Sequence, residues 1–114
     1  MHALDTAKQL ARDIRESEEY KDFARCKAGV KETEGIEALL NEYRRLQMNV
    51  QMSALAKQPA AADDLSRFQQ LGQLLYADQR TSGYLMAEMR LQRMMAEIFG
   101  LLTQAAEMKF DLPS

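Results

Sequence analysis

Apolar residues recur along this chain at steps of three and four, the spacing that places side chains on one face of an α-helix. Tyr84, Leu91, Met94, Met95, Ile98, Leu102, Ala105 and Met108 follow that step through the last long segment, and Leu85, Met86, Met89, Phe99 and Leu101 widen the stripe around the cylinder. A helix apolar over so much of its circumference carries more surface than one small domain can cover. Contact with something beyond the local fold is expected.

The earlier segments read the same way. Leu4, Ala7, Leu10, Ala11 and Ile14 give a short amphipathic helix over about 3–16, with Arg12 and Arg15 near its end, where cations suit the helix dipole. Ser17 is the expected N-cap of a second helix over about 18–30, opened by Glu18 and Glu19 and carrying Tyr20, Phe23, Ala24 and Val30 inward. Thr33 is the expected cap of a third helix, about 34–57, whose inward positions are Ile36, Leu39, Leu40, Tyr43, Leu46, Val50 and Ala54. Met48, Met52 and Leu55 form a second strip on that helix, to one side of the first. Pro59 stops it, and Asp63 and Asp64 open a fourth helix over about 63–77 with Leu65, Phe68, Leu71, Leu75 and Tyr76. Gly72 on that helix offers a point of close approach to a neighbour. Thr81 or Ser82 is the expected cap of the last helix, about 82–109, leaving 110–114 as a tail. The fold class that follows is all-α: one helical domain over 1–114, an antiparallel bundle with two long helices and shorter N-terminal ones, self-associating.

Composition narrows the function more by exclusion than by assignment. Two prolines, five glycines and no tryptophan among 114 residues leave few breaks for a many-turned β fold. A net charge of -2 gives no basic footprint for binding a polyanion, so direct nucleic-acid contact is not expected. The one cysteine, Cys26, forms no internal disulfide, and no run of about eighteen apolar residues spans a membrane. A cytoplasmic protein without membrane insertion is expected.

Chemistry is sparse. The single histidine, His2, lies at the chain start, and no Glu-x-x-His pair of the carboxylate di-metal type exists. Cys26 has neither a second thiol nor a local histidine base and reads as a small packing residue. Phosphate-binding glycine loops and serine nucleophile elbows are missing from the sequence. No catalytic residue, metal site or cofactor is therefore expected. The eight methionines supply flexible, polarizable surface that repacks against partners. Met48, Met52, Leu55, Leu85, Met86, Met89 and Arg93 are the expected oligomer or partner interface, whereas Met94, Met95 and Ile98 are assigned to the core. Tyr43, Tyr76 and Tyr84 are candidate aromatic anchors, and the pairs Arg44 with Arg45 and Arg90 with Arg93 read as solvated ridges.

The strings AKQLARDIRESEEYKDFARCKAGV, EGIEALLNEYRRLQMNVQM and YLMAEMRLQRMMAEIFGLLTQAAEM, in that order, resemble the YlbF/YmcA family of small bacterial helical proteins, YheA among them. The turn Ser17-Glu18-Glu19-Tyr20, the Leu40 to Tyr43 region running into a Gln-rich helix end, and a last helix opening near Tyr84 carry the likeness over nearly the whole chain. The resemblance implies a self-associating helical fold and a cytoplasmic regulatory adaptor. It also implies a complex with YmcA, YlbF and YaaT that acts on ribonuclease Y, with effects on mRNA processing and thence on competence, sporulation and biofilm formation. Some members bind iron-sulfur clusters in the assembled complex. This chain departs there, because Cys26 alone does not supply the four ligands a cluster asks for.

The expected function is accordingly a non-enzymatic adaptor that works through helix contacts, as a homodimer or larger. Two alternatives are a purely structural helical oligomer and a small-ligand binder with a pocket between helices. The second would draw on Tyr43, Arg44, Tyr76 and Cys26.

Overall fold

In the computed structural model, which describes residues 2–107, five helices follow one another: α1 (His2–Glu16), α2 (Glu18–Lys31), α3 (Ile36–Leu55), α4 (Ala62–Ala77) and α5 (Gln79–Ala106). No strand occurs among the described residues. The expected helix end near 109, Met108 and the tail 110–114 lie outside them.

Local chemistry accounts for the breaks. The Ser17 hydroxyl accepts a hydrogen bond from the Tyr20 N–H at 3.1 Å and donates to the Ile14 carbonyl at 2.6 Å, so one side chain closes α1 and caps α2. Between α2 and α3 the expected cap is not the one used. Gly35 occupies the N-cap with φ of 84°, in the left-handed region that glycine enters without a Cβ penalty. The Thr33 hydroxyl instead reaches back to the Gly29 carbonyl and accepts a bond from Arg80 Nη1 at 3.0 Å. Thr33 thus stitches the α2–α3 turn to the first turn of α5, and α3 begins at Ile36 rather than 34.

The start of α5 also differs from expectation. The carboxylate of Asp78 accepts the Arg80 N–H at 2.8 Å, which makes Asp78 the cap and moves the helix start three residues upstream of the expected position. Thr81 is therefore inside the helix, 1 % exposed, with its hydroxyl donating to the Leu75 carbonyl near the end of α4. A side chain read as a surface cap is a buried clasp across the α4–α5 corner.

The chain divides into two compact units. One, Arg25–Leu85, holds a core of Val30, Leu40, Tyr43, Leu46, Leu71, Leu75, Thr81, Tyr84 and Leu85. Within it α3 and α4 pair as a helical hairpin, the Tyr43 and Phe68 rings stacked at 4.9 Å between centroids. Gly72 faces this stack, and a Cβ there would lie 3.5 Å from Tyr43 Cε1, an ordinary contact. Arg67 and Glu42 bridge the same two helices at 2.8 Å on the surface. The other unit takes the described residues on either side, 2–24 and 86–107, and of these only Ala87 is buried.

Candidate functional site

The α3 helix presents two apolar faces that differ in burial. Leu40, Tyr43 and Leu46 are buried, whereas Met48, Met52 and Leu55 are 54 %, 60 % and 81 % exposed. At about 100° per residue the second set lies roughly 150° around the cylinder from the first, so it points away from the hairpin that α3 forms with α4. Helical spacing alone shows that two strips exist; burial shows which of them the fold uses. The exposed one is an apolar strip two turns long, rich in side chains that adapt to varied partners. Leu65, Leu74 and Tyr76 on α4 are also exposed, and Leu74 is a position the sequence pattern did not single out.

The second surface is on α5. Met86 and Met89 are 51 % and 52 % exposed, and Arg93 is exposed beside them in the helical repeat. Leu85 does not belong with this group. It is 5 % exposed because it continues the inward face that Thr81 and Tyr84 begin, and it offers no surface to a partner. Met95, assigned to the core by its spacing, is 41 % exposed, while Met94 and Ile98 are half-buried. Arg90, Arg93, Met94 and Glu97, with Glu19 of α2, line an open groove of about 240 Å³.

The aromatic and polar candidates divide likewise. Tyr43 and Tyr84 are buried, leaving Tyr76 as the exposed one of the three proposed anchors. Burial, with Tyr76 adding to it through charge and a hydrogen bond, pushes the Tyr43 hydroxyl above its ordinary pKa, so it stays protonated. Arg44 is not a solvated ridge: Nη2 donates to the Tyr84 hydroxyl at 2.8 Å and its guanidinium lies 5.5 Å from the Tyr84 ring centroid. The residues put forward for a ligand pocket thus include two engaged in structural contacts, and Cys26 is a half-buried thiol on α2. The described residues contain no group of three or more His, Cys, Asp or Glu side chains placed to hold a metal ion, and one thiol does not fit a cluster with four protein ligands. None of their helices is long and apolar enough to cross a membrane.

The family model described as control of competence regulator ComK, YlbF/YmcA, matches residues 3–106. UPF0342 proteins of Staphylococcus aureus strains JH9 and Newman are each 34 % identical over 98 residues, covering 86 % of this chain and 86 % of their own length. A solved structure of a protein of unknown function (DUF964) from Bacillus stearothermophilus superposes with a TM-score of 0.70 over 93 % of this chain and 91 % of that one, at 21 % identity, which shows the shared all-helical fold. None of these descriptions names an enzymatic activity. By a family match that spans nearly the whole chain and relatives this similar, the chain belongs to the YlbF/YmcA family of regulatory proteins.

Proposed function

We propose that this protein is a non-enzymatic, cytoplasmic regulatory adaptor that self-associates and holds unlike proteins by helix contacts. Its setting is a complex of the YlbF, YmcA and YaaT kind acting on ribonuclease Y, through which it modulates mRNA processing and, downstream, competence, sporulation or biofilm formation. The observation that carries this reading is the apolar strip Met48, Met52 and Leu55, directed away from the core of its own unit on a helix whose other face holds the buried Leu40, Tyr43 and Leu46. An exposed apolar strip at helical spacing suits the docking of a partner helix.

Covering most of three such side chains contributes about 3 to 5 kcal/mol, at roughly 25 cal/mol per Å². That corresponds to about a hundred- to several-thousand-fold in Kd. Replacing Met48 and Met52 by Glu removes this contribution and buries carboxylates against the partner. The test is binding of the purified soluble part of ribonuclease Y, alone and with YaaT-type and YmcA-type partners, to wild-type and M48E/M52E protein by calorimetry. Binding that the double variant loses supports the reading. No binding by the wild-type chain to any of these combinations at about 100 μM, a Kd too weak for a standing complex, would refute it.

A further inference from the structure

The unit made of residues 2–24 and 86–107 lacks a core of its own, since Ala87 is the one buried residue among those described. Helices of this length owe their stability to burying an apolar stripe against a neighbouring layer. Here the inward positions, among them Ile14, Leu91, Met94 and Ile98, are only half-buried, and Leu4, Met86, Met89, Leu101 and Leu102 are each at least half exposed.

The order of residues along α5 carries a charge pattern of its own. At about 100° per residue, Met86, Arg90, Glu97 and Leu101 fall within roughly 60° of one another, forming a single face that runs apolar, cationic, anionic, apolar. Laid antiparallel on itself with a twofold axis between Arg93 and Met94, this face puts Met86 opposite Leu101 and Arg90 opposite Glu97, each pairing made twice. A parallel arrangement would instead set Arg90 on Arg90 and Glu97 on Glu97. Glu19, Arg90, Arg93 and Glu97, which share one groove, make no ion pair or side-chain hydrogen bond with one another, so their charges are available to a second molecule. Two cations and two anions give no net field that would select a partner of one sign. They suit a twofold contact, in which each copy supplies both signs.

We propose that a second copy of this chain covers this face, its α5 antiparallel to the first and registered by reciprocal Arg90–Glu97 pairs, with Met86 packed on Leu101 at either end. The Met48, Met52 and Leu55 strip then stays free for an unlike partner. This inference rests on the self-association part of the proposed function and specifies where that association occurs.

Sedimentation equilibrium on the full chain tests it with wild type, R90E, E97R, the double variant R90E/E97R, an equimolar mixture of the two single variants, and M48E/M52E. All are first matched for helix content by circular dichroism. Each single reversal turns two attractive pairs of the dimer into two repulsive ones and raises the dimer Kd about tenfold or more. The double variant, and the mixture, restore opposite charges at both positions and return the Kd to near the wild-type value, while M48E/M52E remains dimeric. A wild-type dimer indifferent to the single reversals, or single reversals that neither the double variant nor the mixture rescues, would overturn the antiparallel α5 contact alone. Dissociation by M48E/M52E with the α5 variants intact would do the same. A wild-type chain monomeric at about 100 μM, where a functional dimer is expected to be populated, would overturn self-association itself.

Discussion

Replacing Thr81 by Val isolates one hydroxyl at the corner where α4 turns into α5. The two side chains have nearly the same shape, so the substitution leaves packing in place and deletes the bond that Thr81 donates to the Leu75 carbonyl. The Asp78 carbonyl oxygen, 3.2 Å away, is a second acceptor for the same proton but not a simultaneous equal one. Leu75 lies close to the end of α4, where carbonyls run out of intrahelical N–H partners, and its side chain is 1 % exposed. Leaving a buried acceptor short of its donor costs about 1 to 3 kcal/mol. Thr81→Ser keeps the hydroxyl and removes one methyl, a loss of about 0.8 kcal/mol on transfer grounds. The expected order of stability is therefore wild type, Ser, then Val. Urea unfolding followed by circular dichroism reads the difference, repeated at several protein concentrations so that any linked dissociation separates from unfolding. At 2 kcal/mol the melting temperature of the Val variant falls by about 10 °C. A Val variant within about 0.3 kcal/mol of wild type, with Ser the weaker of the two, would show that the hydroxyl contributes nothing and that the corner is held by packing alone.

Other positions give equally direct tests. Because burial raises the Tyr43 pKa, the unfolded chain loses that proton first; the associated stability is fully present below about pH 10 and is lost as pH rises toward the folded-state value. Stability of wild type should accordingly decline more steeply above about pH 10 than that of Tyr43→Phe, and parallel curves in alkaline urea titrations would contradict the assignment. Gly35→Ala forces a Cβ into a left-handed conformation and is expected to cost about 1 to 2 kcal/mol, read as a shift in urea midpoint. Gly72→Ala, whose new Cβ meets Tyr43 at ordinary contact distance, should raise stability by up to about 1 kcal/mol through helix propensity, and a lower midpoint would mean the α3–α4 hairpin is tighter than its geometry indicates. Lowering pH should protonate Glu42 later than an ordinary glutamate, because its hydrogen bond with Arg67 favours the ionised form; carboxyl titration by NMR measures this directly, and Arg67→Ala should abolish the difference.

The helices, their number and most of their boundaries were legible in the sequence, because three- and four-residue apolar periodicity and capping chemistry act within a few residues of chain. Ser17 is an instance: its hydroxyl caps α2 as its position before Glu18 and Glu19 foretells. Thr33 and Thr81 mark the limit of that logic. Either hydroxyl satisfies a helix start in isolation, but Arg80 approaches one and the α4–α5 corner encloses the other, and both events bring together residues distant along the chain or across a turn.

Surface assignments divide along the same line. Periodicity established that α3 carries two apolar strips and that α5 is apolar around much of its circumference. It did not establish which strip faces inward, since Leu85 and Met86 are neighbours of equal hydrophobic character, one buried and the other half exposed. Arg44 and Arg45 likewise share a charge and a location, yet only one reaches the Tyr84 ring. Periodicity and residue order were enough to specify an all-helical chain of the YlbF/YmcA pattern with a surplus of apolar surface. Where that surplus lies follows from packing, because burial depends on which neighbours a side chain meets across the fold, and a repeat of 3.6 residues fixes a face without fixing its direction.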